Sequence, residues 1–136
     1  MIEKPIPWPN GARSAVAITF DVDWDTLLHL AFPDDPGRRL LTTSFLMYEG
    51  IGIQNILNLL NRYGVTSTFF CSAYNVEQRS EIFKEIHAAG HEIALHGYMH
   101  EPANEQSRES EQFWLKRCVD ILTDITGYRP YGARAP

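Results

Sequence analysis

The stretch Ala15–Asp25, AVAITFDVDWD, decides how the rest of the chain is interpreted. It begins with the apolar run Ala15–Ile18, which predicts a fully buried strand. Three carboxylates follow without a turn residue between them, those of Asp21, Asp23 and Asp25. An ionised carboxylate that leaves water needs a cation or several hydrogen-bond donors. This pattern therefore predicts a functional site and is not explained by packing of the core. In α/β sheets and barrels, such a site lies at the carboxyl ends of the strands.

Length and composition predict one soluble globular domain. The chain has 136 residues, of which 44% are apolar and 21% are charged, and these fractions are typical of a folded domain. The net charge of −5 argues against a nucleic-acid partner, and no apolar run is long enough for a membrane span. The extended lead-in, residues 1–13, lacks the apolar segment of a signal peptide, so we expect a cytoplasmic location. Cys71 and Cys118 fall at apolar-patterned positions and are expected to be buried free thiols.

Strand and helix patterns alternate along the chain. This alternation predicts parallel strands with flanking helices, either in an open α/β sheet or in part of a barrel. The long connection at residues 24–47 is interpreted either as a wall of the site or as a solvated insertion. The tail, residues 128–136, turns towards a fourth strand. The expected strands are Ser14–Phe20, Val65–Cys71 and Glu92–Leu95, and the expected helices are Ile51–Tyr63, Val76–Ala89 and Ser107–Thr126.

Two histidines follow the third predicted strand. His96 and His100 are four residues apart, and on a helical turn this spacing places both imidazoles on one face. A single histidine in a loop is more often exposed or bonded to a helix end, but a pair directly after a buried strand favours a metal site. With Asp23 they make two nitrogen ligands and one carboxylate, a set that suits catalytic zinc or another divalent metal that accepts imidazole and carboxylate.

Asp21 is expected to have a different role from Asp23. Residues two apart on a strand point to the same side, so both carboxylates can face the site. A carboxylate beside a metal suits a base that takes the proton of a water molecule. Arg134 would pair with Asp21 and fix its rotamer, although by itself it could equally be a surface arginine. Five residues are weaker candidates, namely Asp25, Glu49, Glu101, Tyr98 and Trp24.

Trp24 is left with two interpretations. It follows Asp23 directly, so its ring could line a substrate groove, or it could cap the core. Glu101 follows His100 directly and could support the metal ligands from outside. His91 is interpreted as structural, whereas His29 and His87 are interpreted as surface residues.

Three motifs together resemble the polysaccharide deacetylase family, the NodB-homology domain of carbohydrate esterase family 4. The segment 19–23, TFDVD, resembles the first motif of the family. The segment 96–100, HGYMH, resembles its His-x-x-x-His motif, and the segment 134–136, RAP, resembles its Arg-x-Pro motif. The segments 68–70 and 90–94 are similar to the family's second strand and to the approach to its third. The resemblance covers nearly the whole chain, 1–136, as the N-terminal portion of such a domain.

The resemblance implies a fold, a cofactor and a reaction. The fold would be a distorted (β/α) barrel of about seven strands, of which this chain would supply about four. The cofactor would be a divalent metal, zinc first and cobalt, nickel or manganese otherwise. The reaction would be hydrolysis of an amide, with Asp21 as base, Arg134 as its holder and a small molecule or glycan as substrate. Asp23, His96 and His100 correspond to the metal ligands, and Trp24, Tyr98 and Pro136 are expected to contact the substrate.

The sequence departs from the family pattern at two places. The commoner first motif has adjacent aspartates, whereas Val22 separates them here, as in the branch of peptidoglycan-deacetylase-like, allantoinase-like and imidase-like proteins. The family's later motifs, which supply a groove wall and a histidine general acid, do not follow Pro136 within the sequence. We therefore expect uncovered strand edges and association with a second copy or with a separate C-terminal chain.

Three hypotheses about function remain. The chain belongs to a deacetylase of N-acetylated sugars, to a hydrolase of cyclic amides such as allantoin, or it is an inactive metal-binding fragment that assembles with another chain. Val22 and the lack of a secretion signal lean slightly towards the cyclic-amide hypothesis.

Overall fold

A computed structural model describes residues 7–43 and 49–136 of the chain. Over these residues the chain forms a mixed α/β unit with a parallel sheet and flanking helices, so the predicted α/β class is confirmed. Residues 7–18 are exposed and contain one 3₁₀ turn at Pro9–Gly11. The strands are β1 (Thr19–Val22), β2 (Thr68–Cys71) and β3 (Glu92–Leu95), and the helices are α1 (Thr26–Ala31), α2 (Pro36–Thr43), α3 (Glu49–Tyr63), α4 (Ala73–Gln78), α5 (Ser80–Ala88) and α6 (Arg108–Thr126).

Within the described residues the sheet has the order β1-β2-β3, with every pair parallel. The ladders start at Thr19, Thr68 and Glu92 and end three residues later at Val22, Cys71 and Leu95. Since the strands start and end in register, their carboxyl ends form one edge of the sheet. The tail adds a single parallel bridge between Leu95 and Ala133, so the predicted fourth strand is reduced to that bridge.

The first strand is not where the apolar pattern predicted it. Val16 is 86% exposed and Ile18 41% exposed, so the run Ala15–Ile18 is not the predicted buried strand. The physical reason is that the neighbouring strands β2 and β3 are short. Pairing of β2 with β3 starts at Glu92, because α5 and the turn at Gly90 (φ 86°) precede it. With β2 limited to four residues, the ladder of β1 starts at Thr19, and one further bond precedes it, from the Thr68 amide to the Ile18 carbonyl (3.3 Å).

The core lies between the sheet and the helices. Its fully buried side chains include Phe69, Phe83, Ile86 and Leu122. Cys71 and Cys118 are buried free thiols, as predicted, and burial raises the pKa of both, in Cys118 to about 12. None of the helices in the described part of the chain is long and apolar enough to cross a membrane.

Two of the predicted helices agree closely with the structure. α3 ends at Tyr63, before Gly64 in the left-handed region (φ 62°), as the sequence predicted. α6 begins after Ser107, whose hydroxyl accepts a hydrogen bond from the Ser110 amide, and ends at Gly127 (φ 74°).

Two segments differ from the sequence prediction. The single helix expected at Val76–Ala89 is interrupted at Arg79 (φ −139°, ψ 47°), which separates α4 from α5. In the connection at residues 24–47, the described part contains α1 and α2. Residues 44–47 and the side chain of Glu49 lie outside the described residues, so both interpretations of this connection, as a wall of the site or as a solvated insertion, stay predictions.

Candidate metal centre and base

Asp23, His96 and His100 meet at the carboxyl edge of the sheet. One potential ligand atom from each lies within 4.8 Å of the other two. His96 Nε2 is 3.5 Å from Asp23 Oδ1, and His100 Nε2 is 3.7 Å from Asp23 Oδ2. The histidine rings are nearly perpendicular, with centroids 4.9 Å apart. The structure thus brings together the three residues that the sequence proposed as metal ligands.

His96 is oriented by the backbone of the tail. Its ring is buried, and its Nδ1 lies 2.9 Å from the carbonyl oxygen of Arg134. Because a carbonyl oxygen only accepts, Nδ1 donates this bond, and Nε2 keeps its lone pair when the ring is neutral. This is the arrangement in which a ligand histidine offers one nitrogen to a metal while the other is held by the protein.

The donor set fits a divalent cation. Asp23 Oδ1 is buried, and among the described residues it has no hydrogen-bond partner. An unpartnered buried carboxylate oxygen costs free energy unless a cation compensates it. Two imidazole nitrogens and one carboxylate form a set that zinc accepts with a position left open. Asp23, His96 and His100 are therefore the residues that would hold the metal.

The histidine pair does not lie on a helical turn, which is the arrangement that the four-residue spacing suggested. Residues 96–101 lie in neither a helix nor a strand, and the chain bends at Tyr98 and Met99. Gly97 (φ 72°) and His100 (φ 65°) both lie in the left-handed region. Two left-handed residues reverse the chain between the rings, so the loop and not a helix brings the imidazoles together.

The backbone of Asp23 is held by two buried polar side chains. Its carbonyl oxygen accepts hydrogen bonds from the Thr26 hydroxyl (2.6 Å), the Thr26 amide (3.0 Å) and the Asn75 side-chain amide (2.7 Å). Thr26 and Asn75 are completely buried. The next residue, Trp24, has a φ of 45°, so the chain turns sharply directly after Asp23. These bonds fix the Asp23 backbone from α1 and α4.

Asp21 forms a second group on the same edge, with Arg134. One nitrogen of the Arg134 guanidinium donates to Asp21 Oδ1, and the other donates to Thr19 Oγ1 at 2.9 Å. The guanidinium also lies 4.0 Å from the centre of the Phe70 ring. The tail positions Arg134 through two backbone bonds to Leu95, from Leu95 N to Gly132 O (3.0 Å) and from Arg134 N to Leu95 O (2.9 Å). The structure thus pairs the two residues that the sequence proposed as base and holder.

The expected substrate contacts are distributed differently. Trp24 is 8% exposed and packs edge-on against Phe83, so its ring belongs to the core. Tyr98 stacks on Trp114 at 4.7 Å, and its hydroxyl donates to Glu77 (2.9 Å). Burial, followed by that hydrogen bond, raises the pKa of Tyr98 to about 12.

Pro136 is exposed at the rim of a cavity of about 160 Å³ that Tyr98 and Arg134 also line. Of the three expected substrate contacts, Pro136 is thus the most accessible.

Sequence reasoning missed several supporting residues. Asn75 lies one residue before the predicted helix, and its sequence context gives no signal that its amide is buried and bonded to Asp23. Asp25, which had no assigned role, contacts Arg79 (3.4 Å) and His29 (3.7 Å). Arg79 also donates to Asn75 Oδ1 at 3.2 Å. Through these contacts Asp25 is linked to the side chain that holds Asp23.

Comparison with known proteins decides the family. A family model described as polysaccharide deacetylase matches residues 9–136. The chain belongs to the polysaccharide deacetylase family. It is 35% identical to the peptidoglycan deacetylase of Helicobacter pylori over 104 residues, which is 76% of this chain and 33% of that protein. It is 33% identical to the peptidoglycan deacetylase-like protein FGM2 of Gibberella zeae over 136 residues, 97% of this chain and 40% of that protein.

Two solved structures superpose well on this chain. A Mycobacterium smegmatis structure named as a polysaccharide deacetylase superposes with a TM-score of 0.83 and 36% identity. The superposition covers 97% of this chain and 46% of the M. smegmatis chain. A PuuE allantoinase superposes with a TM-score of 0.80 and 25% identity. The superposition covers 99% of this chain and 52% of the allantoinase chain. The chain spans about a third to two fifths of the length of the two relatives named above.

Proposed function

We propose that this chain contributes the metal ligands and the base of a hydrolase that removes the acetyl group from an N-acetylated sugar or glycan. The observation that carries the proposal is the proximity of two groups at one sheet edge. Asp23, His96 and His100 form the first group, and Asp21 with Arg134 forms the second. The two are linked, because the carbonyl of Arg134 lies 2.9 Å from His96 Nδ1.

The two groups divide the chemistry between them. A divalent cation in the first group, zinc by its donor set or cobalt, nickel or manganese, would polarise an amide carbonyl and make water more acidic. Asp21 is exposed, so water and substrate can reach its carboxylate, and it would accept the proton of the attacking water. Arg134 would keep that carboxylate in position by donating to Oδ1.

The names of the relatives support a glycan as substrate. The H. pylori protein is named as a peptidoglycan deacetylase, and a relative from Bacillus cereus, 31% identical over 81 residues, as a peptidoglycan-N-acetylglucosamine deacetylase. We propose the same class of substrate, an N-acetyl group on a sugar, for this chain.

A second candidate is hydrolysis of a cyclic amide. It is favoured by the superposition on the PuuE allantoinase over 99% of this chain. The spacing of Asp21 and Asp23 around Val22, which resembles the allantoinase-like branch, points the same way. The two candidates share the metal ligands and the base and differ in the substrate.

The two candidates are separated by assaying the purified chain with added zinc. N-acetylglucosamine oligomers and peptidoglycan are tested for release of acetate, and allantoin, hydantoins and cyclic imides for ring opening. We expect acetate release that is lost in Asp21→Asn. Ring opening without acetate release supports the second candidate. Zinc binding without turnover of any substrate supports the inactive metal-binding fragment. The cytoplasmic location, self-association and lack of a nucleic-acid partner stay predictions.

A further inference from the structure

We propose that Glu101 is a positioning residue for His100, acting by holding the loop between the two histidine ligands. This inference rests on the proposed metal site and names a residue that would tune it. Glu101 directly follows His100, and its carboxylate points back along the loop. It accepts hydrogen bonds from the amides of Tyr98 (3.1 Å, Oε2) and Met99 (3.0 Å, Oε1).

The loop needs such an anchor because it has no regular secondary structure. Residues 97–100 are not in a helix or a strand, so their amides have no ladder to join. His100 also has a positive φ, a conformation that is unfavourable for a non-glycine residue and persists only when its surroundings hold it. A carboxylate that accepts from two consecutive amides forms two charge-assisted bonds, the stronger kind of hydrogen bond.

The other side of the loop is held by α4. The amide of Ala73 donates to the carbonyl of Gly97, and the amide of Tyr74 donates to the carbonyl of Tyr98, both at 3.0 Å. The segment 97–99 is therefore fixed from two directions, through its carbonyls by α4 and through its amides by Glu101. His100 is the next residue, and its Nε2 lies 3.7 Å from Asp23 Oδ2.

Gly97 shows how closely the carboxylate fits against the loop. A Cβ built at Gly97 would lie 3.1 Å from Glu101 Oε2, and the φ of 72° already disfavours a side chain there. A larger residue at position 97 would thus push against the same carboxylate that holds the next two amides. Gly97 and Glu101 together therefore determine the path of the backbone from His96 to His100.

The test is a double-mutant cycle read out by zinc affinity. Zinc dissociation constants are measured by competition with a chromophoric chelator for the wild-type chain, Glu101→Gln, His100→Ala and the double variant. Glutamine keeps the shape of the side chain but has one acceptor oxygen, so one of the two amides loses its bond. In the wild-type background we expect Glu101→Gln to weaken zinc binding by about 10- to 100-fold, as for other groups that orient metal ligands. In the His100→Ala background we expect a change within about twofold, since His100 carries the effect.

Controls separate positioning from folding. Glu105→Gln removes the same charge from an exposed residue four positions further on, and we expect zinc affinity within about twofold of the wild type. Circular dichroism and thermal melting with chelator present report whether each variant is folded without metal. The absorption spectrum of bound cobalt, which depends on the ligand geometry, is expected to change in Glu101→Gln and to stay unchanged in Glu105→Gln.

Each outcome decides the inference. Unchanged zinc affinity in Glu101→Gln overturns it, and so does an equal loss in both backgrounds, because Glu101 would then act on stability and not through His100. A wild-type chain that binds no divalent cation overturns it together with the metal centre of the proposed function. Turnover is measured separately, so failure of the proposed reaction is distinguishable from failure of the role of Glu101.

Discussion

The two halves of the stretch Ala15–Asp25 contrast with what their residue types suggest. The apolar half, Ala15–Ile18, is exposed, with Val16 at 86%. The acidic half contacts the rest of the molecule, since Asp21 binds Arg134, Asp23 meets the two histidines and Asp25 binds Arg79. The difference teaches that burial depends on which partners a segment finds, and that here the carboxylates have the partners. The four changes below test this contrast.

The largest effect is expected for Asp21→Asn. Asparagine keeps the size of the side chain but cannot accept a proton, so we expect amide hydrolysis to fall by about 10²- to 10⁴-fold, the usual contribution of a general base. Zinc affinity is expected to stay within about twofold, because Asp21 is not one of the three clustered ligands. The measurements are initial rates and zinc competition, with Asp120→Asn on the exposed face of α6 as control. A parallel loss of zinc binding would mean that Asp21 is itself a ligand.

The next effect is expected for Arg134→Lys. Lysine keeps the charge but cannot donate to Asp21 and Thr19 together or stack on Phe70 in the same way. Loss of a charge-assisted bond of roughly 1.5–3 kcal/mol corresponds to a rate decrease of about 10- to 100-fold.

Arg129→Lys, at an exposed arginine of the same tail, is the matched control. Equal rates for the two lysine variants would show that the guanidinium geometry is not used.

A smaller effect, on stability, is expected for Asn75→Ala. This completely buried amide donates to the carbonyl of Asp23 and accepts from Arg79. Its removal leaves both partners short of a bond, so we expect the free energy of unfolding to fall by about 1–3 kcal/mol in urea titrations. Asn58→Ala on the exposed side of α3 should change it by less than about 0.5 kcal/mol. A similar loss of unfolding free energy in the two variants would show that Asn75 does not stabilise the backbone of Asp23.

The smallest effect is expected for Val16→Ser in the apolar half. An exposed valine outside the sheet buries little apolar surface on folding, so the free energy of unfolding should change by less than about 0.5 kcal/mol. Phe69→Ala, at a completely buried position on β2, should cost about 3–5 kcal/mol in the same urea titration. A loss of more than 1 kcal/mol in Val16→Ser would show that the run is covered in solution, and light scattering would show whether a second copy covers it.

Much of the fold and the site could be predicted from local signals. The bounds of α3 and α6 follow from apolar periodicity together with glycine and serine at the ends, and these are local effects that the sequence displays. The donor set Asp23, His96 and His100 was found because motif spacing marks residues that must converge at neighbouring strand ends. Asp21 and Arg134 were paired for the same reason, and the structure joins them by a hydrogen bond.

The remaining features depend on contacts between distant segments. The start of β1 was predicted too early because the length of β2 and β3 limits the pairing, and the apolar pattern contains no information about this. Asn75 reaches Asp23 across 52 positions of sequence, so neither residue alone indicates the contact. Trp24 could line a groove or cap the core by its chemistry, and only the packing against Phe83 places it in the core.

The sequence by itself determined which chemical groups this protein can use, since the types and order of the acids, histidines and arginine indicate the family and the proposed metal ligands. The tertiary structure decided how that chemistry is held. It showed that a loop with two left-handed residues, and not a helical turn, joins the histidines. It also showed that Asn75 bonds to the Asp23 carbonyl and that Glu101 bonds to the Tyr98 and Met99 amides just before His100. The physical reason is that side-chain chemistry is a property of each residue, whereas burial and orientation are properties of the partners that folding brings together.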